Sequence, residues 1–132
     1  MLVGSEGSIY LNDIIMKVAI LGASPKPDRY SNKAQRMLVE HGHEVFPVSP
    51  SAQEILGVAG FSEVPEGMDT VTLYVGPKHL LPMLDQLIDA APRRVIFNPG
   101  TESEEAMDRL KAAGIEVEEA CTLVLLSVGE FE

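Results

Sequence analysis

Three cationic side chains, Lys26, Arg29 and Lys33, follow closely after Gly22, and Arg36 extends the group. The whole chain has 20 acidic and 10 basic residues and a formal net charge of -10, so this local concentration of positive charge stands out. Ammonium and guanidinium groups bind phosphates through charge-assisted hydrogen bonds. The spacing therefore favours an anion-binding site, with a solvated helix face as the alternative.

These cations come after a predicted strand and a tight turn. Residues 18–21 form an unbroken apolar run, typical of a strand buried on both faces, and Gly22 ends it where a tight turn needs a residue without Cβ. A polar stretch then leads into a helical pattern. This strand-turn-helix order opens nucleotide-binding βαβ units, so a nucleotide phosphate is the candidate anion.

The glycine loop does not match the dinucleotide fingerprint of dehydrogenases. That fingerprint needs glycine at the first, third and sixth positions, where this chain has Gly22, Ser24 and Pro27. The acidic residue expected after the second strand is replaced by Ser49. A nicotinamide dehydrogenase is therefore disfavoured, and a small NAD(P)-binding or reductase-type enzyme is kept as an alternative.

The remaining reactive side chains indicate no catalytic site. Cys121 is the single cysteine, which excludes an intramolecular disulfide and a multi-cysteine zinc site. His41 and His43 flank a helix-ending glycine, where we expect a structural role at the helix dipole, and His79 is a candidate ligand contact. Ser24 has no motif-supported base. We therefore predict no catalytic residue and no metal site.

The elements that must position these residues alternate along the chain. Strands are predicted at residues 18–21, 44–48, 70–75, 94–97 and 115–118, and helices at residues 30–41, at residues 78–91 and from a Thr101–Glu104 capping box to Gly114. A short helix or turn is predicted within residues 51–67, and residues 121–128 form a final apolar run. This pattern predicts an α/β protein, a single Rossmann-like three-layer domain with a mainly parallel sheet of about five strands.

The predicted sheet places four loops along one crevice. In such folds a ligand lies outside the carboxyl ends of the strands, where the strand order reverses. The loops at residues 22–29, 49–50, 76–77 and 98–101 follow the first four strands. We therefore expect them to form the rim of the binding crevice.

The first loop resembles that of a known family. The sequence Gly-Ala-Ser-Pro-Lys-Pro-Asp-Arg, followed by Val-Phe-Pro-Val-Ser-Pro, is similar to the stand-alone CoA-binding domain family, Rossmann-like proteins related to the CoA-binding domain of succinyl-CoA synthetase. Gly22, Ala23, Ser24 and Pro27 match the family's Gly-Ala-Ser-x-x-Pro pattern. The resemblance covers residue 16 to about residue 121. Ser49 departs from it, because the family typically has Val-Asn-Pro after the second strand.

The resemblance implies a ligand and a set of contacts. The ligand is CoA or an acyl-CoA, bound without a catalytic step, and the Gly76–Pro77 turn packs against its adenine. The Asn98–Pro99–Gly100 loop lacks the Trp and Gln of several relatives, and Cys121 is a candidate contact to the ligand thiol. The implied binding residues are Gly22, Ala23, Ser24, Lys26, Arg29, Lys33, Ser49, Pro50, Gly76, Pro77, Asn98, Pro99 and Gly100.

Composition sets the remaining expectations. A chain of 132 residues suits one domain, which we place at residues 16–132 after a leader or tag-like extension at residues 1–15. An additional edge strand at residues 8–11 is the alternative for that extension. The acidic balance argues against nucleic acid as a partner, no apolar run is long enough to span a membrane, and a lone cysteine favours the cytoplasm.

The last apolar segment, residues 123–128, is a candidate homodimer contact. It carries the third hypothesis, an interaction module in which the nucleotide crevice is vestigial.

Overall fold

A computed structural model describes residues 14–132, so the predicted strand at residues 8–11 lies outside the described residues. The strands are β1 (Lys17–Leu21), β2 (Glu44–Val48), β3 (Thr70–Leu73), β4 (Arg94–Phe97) and β5 (Glu116–Glu119). The helices are α1 (Tyr30–Glu40), α2 (Pro77–Leu80), α3 (Leu84–Ala90), α4 (Glu104–Ala112) and α5 (Thr122–Ser127), with a 3₁₀ turn (Leu81–Met83) between α2 and α3. Each predicted strand is present to within a few residues.

The five strands form one parallel sheet in the order β2-β1-β3-β4-β5. Val18 pairs with Val45 on one side and with Thr70 on the other, which fixes the register of the central strand. Because the chain moves outward from β1 in both directions, the strand order reverses between β1 and β3. This sheet confirms the predicted α/β, Rossmann-like fold.

Alternate residues of the strands face two separate cores. Ala19 and Leu21 point toward the core made with α2, α3 and α4, while Val18 and Ile20 point toward the core made with α1 and α5. The central β1 side chains are almost completely buried, as expected for a strand covered on both faces. The sheet therefore lies between two helical layers, and each buried leucine or isoleucine contributes roughly 1.5–3 kcal/mol.

The structure decides three local expectations, of which only the first, one continuous helix at residues 78–91, is wrong. The helix predicted at residues 78–91 is divided into α2 and α3 by the 3₁₀ turn that contains Pro82, since proline has no N–H for the helical ladder. Residues 51–67 contain turns and two isolated β-bridges, Ile55–Val58 and Val48–Phe61, and no helix. The final apolar run is helix α5.

The predicted capping box at Thr101 is also wrong. Thr101 Oγ1 donates a hydrogen bond to the Asn98 carbonyl, and the Gly100 amide donates to Glu102, so these residues form a turn before the helix. The cap of α4 is Ser103, whose hydroxyl accepts from the Ala106 amide at 3.2 Å. The helix therefore begins two residues later than a Thr101 cap would place it.

Charged residues close the amino ends of the strands. Arg93 Nε lies 2.8 Å from Asp69 Oδ2, and Arg93 Nη1 lies 3.1 Å from Glu116 Oε1. Burial alone would raise the pKa of the Asp69 carboxyl, but hydrogen bonds from Arg93 and Thr70 outweigh it and lower that pKa. The same hydrogen bond from Arg93 to Asp69 raises the pKa of the guanidinium.

The neighbouring Arg94 is buried in this end of the sheet. Its Nε donates to Thr70 Oγ1 at 3.1 Å, and its Nη1 donates to Glu118 Oε1 at 3.2 Å. The guanidinium carbon lies 4.7 Å from the ring centroid of Phe131, which also packs at 5.3 Å from the His43 ring. Phe131 therefore packs against both Arg94 and His43 at the amino ends of the strands.

His43 is held at the same end of the sheet. Its Nδ1 accepts a hydrogen bond from the Met16 amide at 3.1 Å, and its Nε2 lies 3.3 Å from Glu132 Oε2. Burial lowers the pKa of His43, against the opposing effect of the Glu132 carboxylate. An accepting Nδ1 requires the neutral imidazole. His43 therefore has a structural role as predicted, but through these contacts and not through a helix dipole.

Candidate functional site

Gly22 lies where the strand order reverses, against β3. Its φ is +97°, and a Cβ at this position would lie 2.9 Å from both the Tyr74 carbonyl oxygen and Val75 Cγ1. Side chains rarely adopt this conformation, and two neighbours would have to move. The sequence prediction of a turn that requires glycine is therefore confirmed.

The first loop uses two of its own amides internally. The amides of Gly22 and Ala23 both donate to the Val48 carbonyl, at 3.0 and 3.1 Å, which ties the loop to the end of β2. These two amides are therefore not free to donate to a ligand, although Gly22 and Ala23 are among the binding residues that the resemblance implies. The Ser24 amide has no acceptor within the described chain, and Ser24 Oγ accepts from the Lys26 amide at 3.2 Å.

Helix α1 fixes the shape of this loop. Asn32 Nδ2 donates to the Ser24 carbonyl at 2.9 Å. Arg36 donates from Nε to Asn32 Oδ1 at 2.9 Å and from Nη2 to the Pro27 carbonyl at 2.8 Å. Arg36, which sequence reasoning grouped with the ligand-binding cations, thus holds the loop. Asn32 was missed, and its spacing of four residues from Arg36 on one helix face was the available signal.

The other three cations remain on the surface beside the loop. Within residues 14–132, no carboxylate lies at ion-pair distance from Lys26, Arg29 or Lys33. Lys33 Nζ lies 5.2 Å from the ring centroid of Tyr30, a cation–π contact. The predicted group of cations is therefore brought together without an internal counter-charge in the described part of the chain.

The amino terminus of α1 adds unpaired donors next to these cations. Its cap residue, Arg29, offers no capping side chain, and its first turn holds no acidic residue. The amides of Tyr30 and Ser31 have no acceptor among the described residues. Helix amino termini carry partial positive charge and favour anions. The cations and these amides together form a local positive surface on an acidic protein.

A first cavity, which we call the β2-side cavity, opens beside Gly22 with a volume of about 420 Å³. It brings together the predicted residues Gly22, Ser49 and Pro50. Ser49 is buried; its amide donates to the Phe61 carbonyl, and its carbonyl accepts from the Ala52 amide. The complete lining is Leu21, Gly22, Val48, Ser49, Pro50, Ser62, Val75, His79 and Met83. His79, a candidate contact from sequence, lies in this wall, whereas Ser62 and Met83 were missed.

A second cavity, the β4-side cavity, has a volume of about 270 Å³ and is lined by Tyr30, Tyr74, Asn98, Pro99, Cys121 and Leu123. A shallower cavity of about 240 Å³ shares Tyr30, Tyr74 and Pro99 with it, and adds Arg29, Ser31, Gly76, Gly100 and Thr101. The predicted residues Gly76, Asn98, Pro99, Gly100 and Cys121 therefore meet here. The wall residues Tyr30, Tyr74 and Leu123 were not predicted.

The side chain of Asn98 is fully engaged within the protein. Its Nδ2 donates to Thr72 Oγ1 at 2.7 Å and to the Leu73 carbonyl at 2.8 Å. Its Oδ1 accepts from the Thr122 amide at 2.8 Å. Asn98 thus joins β4 to β3 and to the start of α5. It was predicted as a ligand contact, and it lines the cavity with an amide that is already satisfied.

Two more side chains complete this wall. The Tyr74 hydroxyl is buried without a hydrogen-bond partner in the described chain, and burial raises the pKa of Tyr74 to about 12. Cys121 has a free, half-buried thiol at the cap position of α5. The phenol is therefore protonated throughout the physiological range, and the thiol lies at the cavity surface.

The described residues also bear on a metal site, a membrane span and a homodimer contact. They contain no group of three side chains able to ligate a metal ion. None of the helices in residues 14–132 has the length and apolar character needed to cross a bilayer. On α5, Leu126 is buried in the core, while Val124 and Val128 are exposed. These two valines are what the predicted homodimer contact can use, and that contact stays a prediction.

Comparison with known proteins gives consistent similarities. A family model described as a CoA binding domain matches residues 16–127. The chain is 28% identical over 101 residues to the uncharacterized protein YneT of Bacillus subtilis (strain 168), covering 74% of this chain and 75% of that protein.

Solved structures agree with this similarity. A crystal structure of an uncharacterized protein is 46% identical, with a TM-score of 0.85 over 89% of this chain and 99% of the other. A hypothetical protein from Pyrococcus horikoshii OT3 is 32% identical, with a TM-score of 0.77 over 83% and 80% of the two chains.

Proposed function

The chain belongs to the CoA binding domain family, and we propose that it binds CoA or an acyl-CoA in the crevice at the carboxyl ends of β1–β4. The observation that carries this proposal is the positive surface formed by Lys26, Arg29 and Lys33. CoA has a pyrophosphate and a 3′-phosphate, which need cations and amide donors. This acidic protein has both at and beside the start of α1.

We assign the phosphates of the ligand to the start of α1. Lys26 and Arg29 are exposed and Lys33 is three residues into the helix, so all three can reach a phosphate at this surface. The amides of Ser24, Tyr30 and Ser31 supply donors that need no side-chain movement. A phosphate bound here replaces the counter-charge that the described chain does not provide.

The two cavities accommodate the two ends of the ligand. We assign the adenine to the β2-side cavity, where Pro50 and Val75 offer apolar surface and Ser49 and His79 offer polar atoms. The pantetheine arm then passes Gly76, Pro77 and Gly100 into the β4-side cavity. In this arrangement the Gly76–Pro77 turn lies beside the arm, whereas the resemblance implies that it packs against the adenine. This path brings its sulfur toward Cys121.

We propose a binding role without a chemical step. Within residues 14–132, neither the His79 ring nor the Cys121 thiol takes part in a side-chain hydrogen bond that would orient a base or activate a nucleophile. Catalytic nucleophiles normally have such a partner. The alternative function, an NAD(P)-dependent enzyme, is distinguished by binding NAD or NADP in preference to CoA.

Calorimetric titration at fixed ionic strength tests this proposal. CoA and acetyl-CoA are expected to bind, whereas NAD, NADP and ATP bind more weakly. Binding of NAD or NADP in preference to CoA would favour the alternative enzyme. If none of the five compounds binds, the proposal is wrong and the crevice is better explained as part of an interaction module.

A further inference from the structure

The β4-side cavity distinguishes between forms of the ligand. We infer that this protein prefers CoA thioesters of short, uncharged acyl groups over free CoA and over acyl groups that end in a carboxylate. This inference rests on the proposed function, because it concerns the ligand that occupies the same crevice.

Two residues of the cavity wall, Asn98 and Tyr74, have their polar side-chain atoms turned away from its interior. Asn98 directs its amide to Thr72, Leu73 and Thr122. The Tyr74 hydroxyl is buried, so the ring is the part of Tyr74 that lines the cavity. Asn98 and Tyr74 therefore present mainly apolar surface to the cavity.

The rest of the wall contains no aspartate, glutamate, lysine, arginine or histidine side chain. Tyr30, Pro99 and Leu123 add aromatic and aliphatic surface, and Cys121 adds a small half-buried thiol. Arg29 lines the adjoining shallow cavity, and Lys33 contacts the Tyr30 ring at 5.2 Å, but neither cation is among the residues that line this cavity. The wall around the proposed acyl position therefore contains no cationic side chain.

These properties decide which acyl groups are favoured. An aliphatic chain leaving water for this cavity gains roughly 0.8 kcal/mol per methylene, which corresponds to about a three- to fourfold increase in affinity. A terminal carboxylate in the same place would lose its water without gaining a cation, which is strongly unfavourable. A free thiol gains neither effect.

The volume of the cavity limits the chain length. About 270 Å³ is below the usual range of pockets for drug-sized ligands, roughly 300–1,000 Å³. The end of the pantetheine arm must share this space. Short chains such as acetyl and butyryl are therefore expected to fit, and long fatty acyl chains are not.

Calorimetry with a series of ligands tests the inference, in the presence of a reductant that keeps Cys121 as a thiol. The series is adenosine 3′,5′-bisphosphate, CoA, acetyl-CoA, butyryl-CoA, hexanoyl-CoA and succinyl-CoA. Butyryl and succinyl have the same number of carbons and differ at the terminal carboxylate. Butyryl-CoA is expected to bind about tenfold more tightly than acetyl-CoA and at least about tenfold more tightly than succinyl-CoA.

Two substitutions on α5 locate the effect. Leu123→Trp fills the cavity and is expected to abolish the gain from acetyl to butyryl. Val124→Trp, at the next residue, which is 56% exposed and outside the cavity wall, keeps that gain. Thermal unfolding of both variants shows whether they are folded, and the ligand series on the unsubstituted protein decides the question if they are not.

The outcomes separate this inference from the proposed function. If CoA binds but succinyl-CoA equals or exceeds butyryl-CoA, the inference is wrong and the proposed function stands. Equal affinities for all ligands from CoA to hexanoyl-CoA would likewise contradict the inference and leave the proposed function standing. If neither CoA nor any thioester binds, the proposed function fails and the inference falls with it.

Discussion

At the amino ends of the strands Arg93 and Arg94 are held by carboxylates, whereas at the carboxyl ends Lys26 and Arg29 have none within ion-pair distance among residues 14–132. The Arg94 guanidinium also lies against Phe131 and donates to Thr70. These two arginines thus have internal partners at the amino ends, whereas Lys26 and Arg29 remain exposed at the carboxyl ends.

The helix amino termini show the same contrast. Helix α4 begins with the Ser103 cap and has Glu104 and Glu105 in its first turn, so its own side chains complement its partial positive charge. Helix α1, which faces the crevice, has neither feature. The start of α1, at the carboxyl ends of the strands, therefore has helix amides that no side chain of its own complements, and the proposed ligand would bind there.

The largest effect on stability is expected from the amino end. Arg94→Ala leaves Glu118 without its cation and uncovers Phe131, and should lower the free energy of unfolding by about 3 kcal/mol. Arg93→Ala is the matched control, since Arg93 is the adjacent arginine with a half-exposed side chain and exposed ion pairs contribute about 0–1 kcal/mol. Denaturant unfolding at neutral pH measures both variants. Equal losses would show that burial does not distinguish the two arginines.

The opposite pattern is expected at the carboxyl end. Arg29→Ala or Lys26→Ala should weaken CoA binding by about 1–3 kcal/mol through loss of a charge-assisted hydrogen bond, while the free energy of unfolding changes by less than about 0.5 kcal/mol. Calorimetry and denaturant unfolding measure the two quantities. Lys111→Ala is the control, because Lys111 is an exposed cation on α4, away from the crevice.

If CoA affinity is unchanged in both Arg29→Ala and Lys26→Ala, the alternative interpretation is favoured, in which these side chains form a solvated helix face. If Arg29→Ala or Lys26→Ala instead loses as much stability as Arg94→Ala, the cations at the carboxyl ends stabilise the fold as Arg94 does. The contrast drawn between the two ends of the sheet would then be wrong.

The sheet could be predicted because its signals are local. The apolar run at residues 18–21 and the glycine that ends it define β1 and the turn without reference to the rest of the chain. The turn residues after β2 and β4 marked the other loops in the same way. General rules of α/β folds then predict a parallel sheet with right-handed crossovers, whereas the order of the strands comes from the structure.

The details that failed depend on tertiary contacts. Thr101 and Ser103 are both good capping residues, and the bond from Thr101 to the Asn98 carbonyl selects the second. Arg36 has the same charge as Arg29, and its bond to the Pro27 carbonyl shows that it belongs to the scaffold. Neither contact is visible in sequence spacing.

The β4-side cavity was missed for a related reason. Tyr74 was counted as part of a strand, and the run that contains Leu123 was not assigned to a helix. Since α5 and β3 meet through the hydrogen bond between Thr72 and Thr122 at 2.8 Å, this wall exists only in the folded chain.

A smaller, kinetic effect is expected at Cys121. If the pantetheine arm enters the β4-side cavity, saturating CoA should slow alkylation of this thiol several-fold by steric exclusion. Because Cys121 is the single cysteine, mass spectrometry of the intact protein follows one site. Adenosine 3′,5′-bisphosphate, which lacks the arm, is the matched ligand control and should not protect. Equal alkylation rates with CoA and with this control would place the arm elsewhere.

The smallest effect is expected from pH at the amino end, through His43. Burial lowers its pKa in the folded chain, so the unfolded chain takes up a proton near the ordinary value of about 6.5 while the folded chain does not. The stability from neutral His43 is therefore complete above about pH 6.5 and declines as the pH falls toward the lower folded pKa. The Glu132 carboxylate opposes the shift, and the lowered pKa of Asp69 acts in a separate window, below about pH 4.

Denaturant unfolding between about pH 7.5 and pH 5 measures this dependence. His43→Leu should be less stable at pH 7.5, because the Met16 amide loses its acceptor, and should show a flatter decline below about pH 6.5. His41→Gln is the control, since His41 is exposed and contacts the Met37 carbonyl of its own helix. If His43→Leu declines as steeply as the unsubstituted protein, another group titrates in this range. The amino end of the sheet would then owe its pH response to charges other than His43.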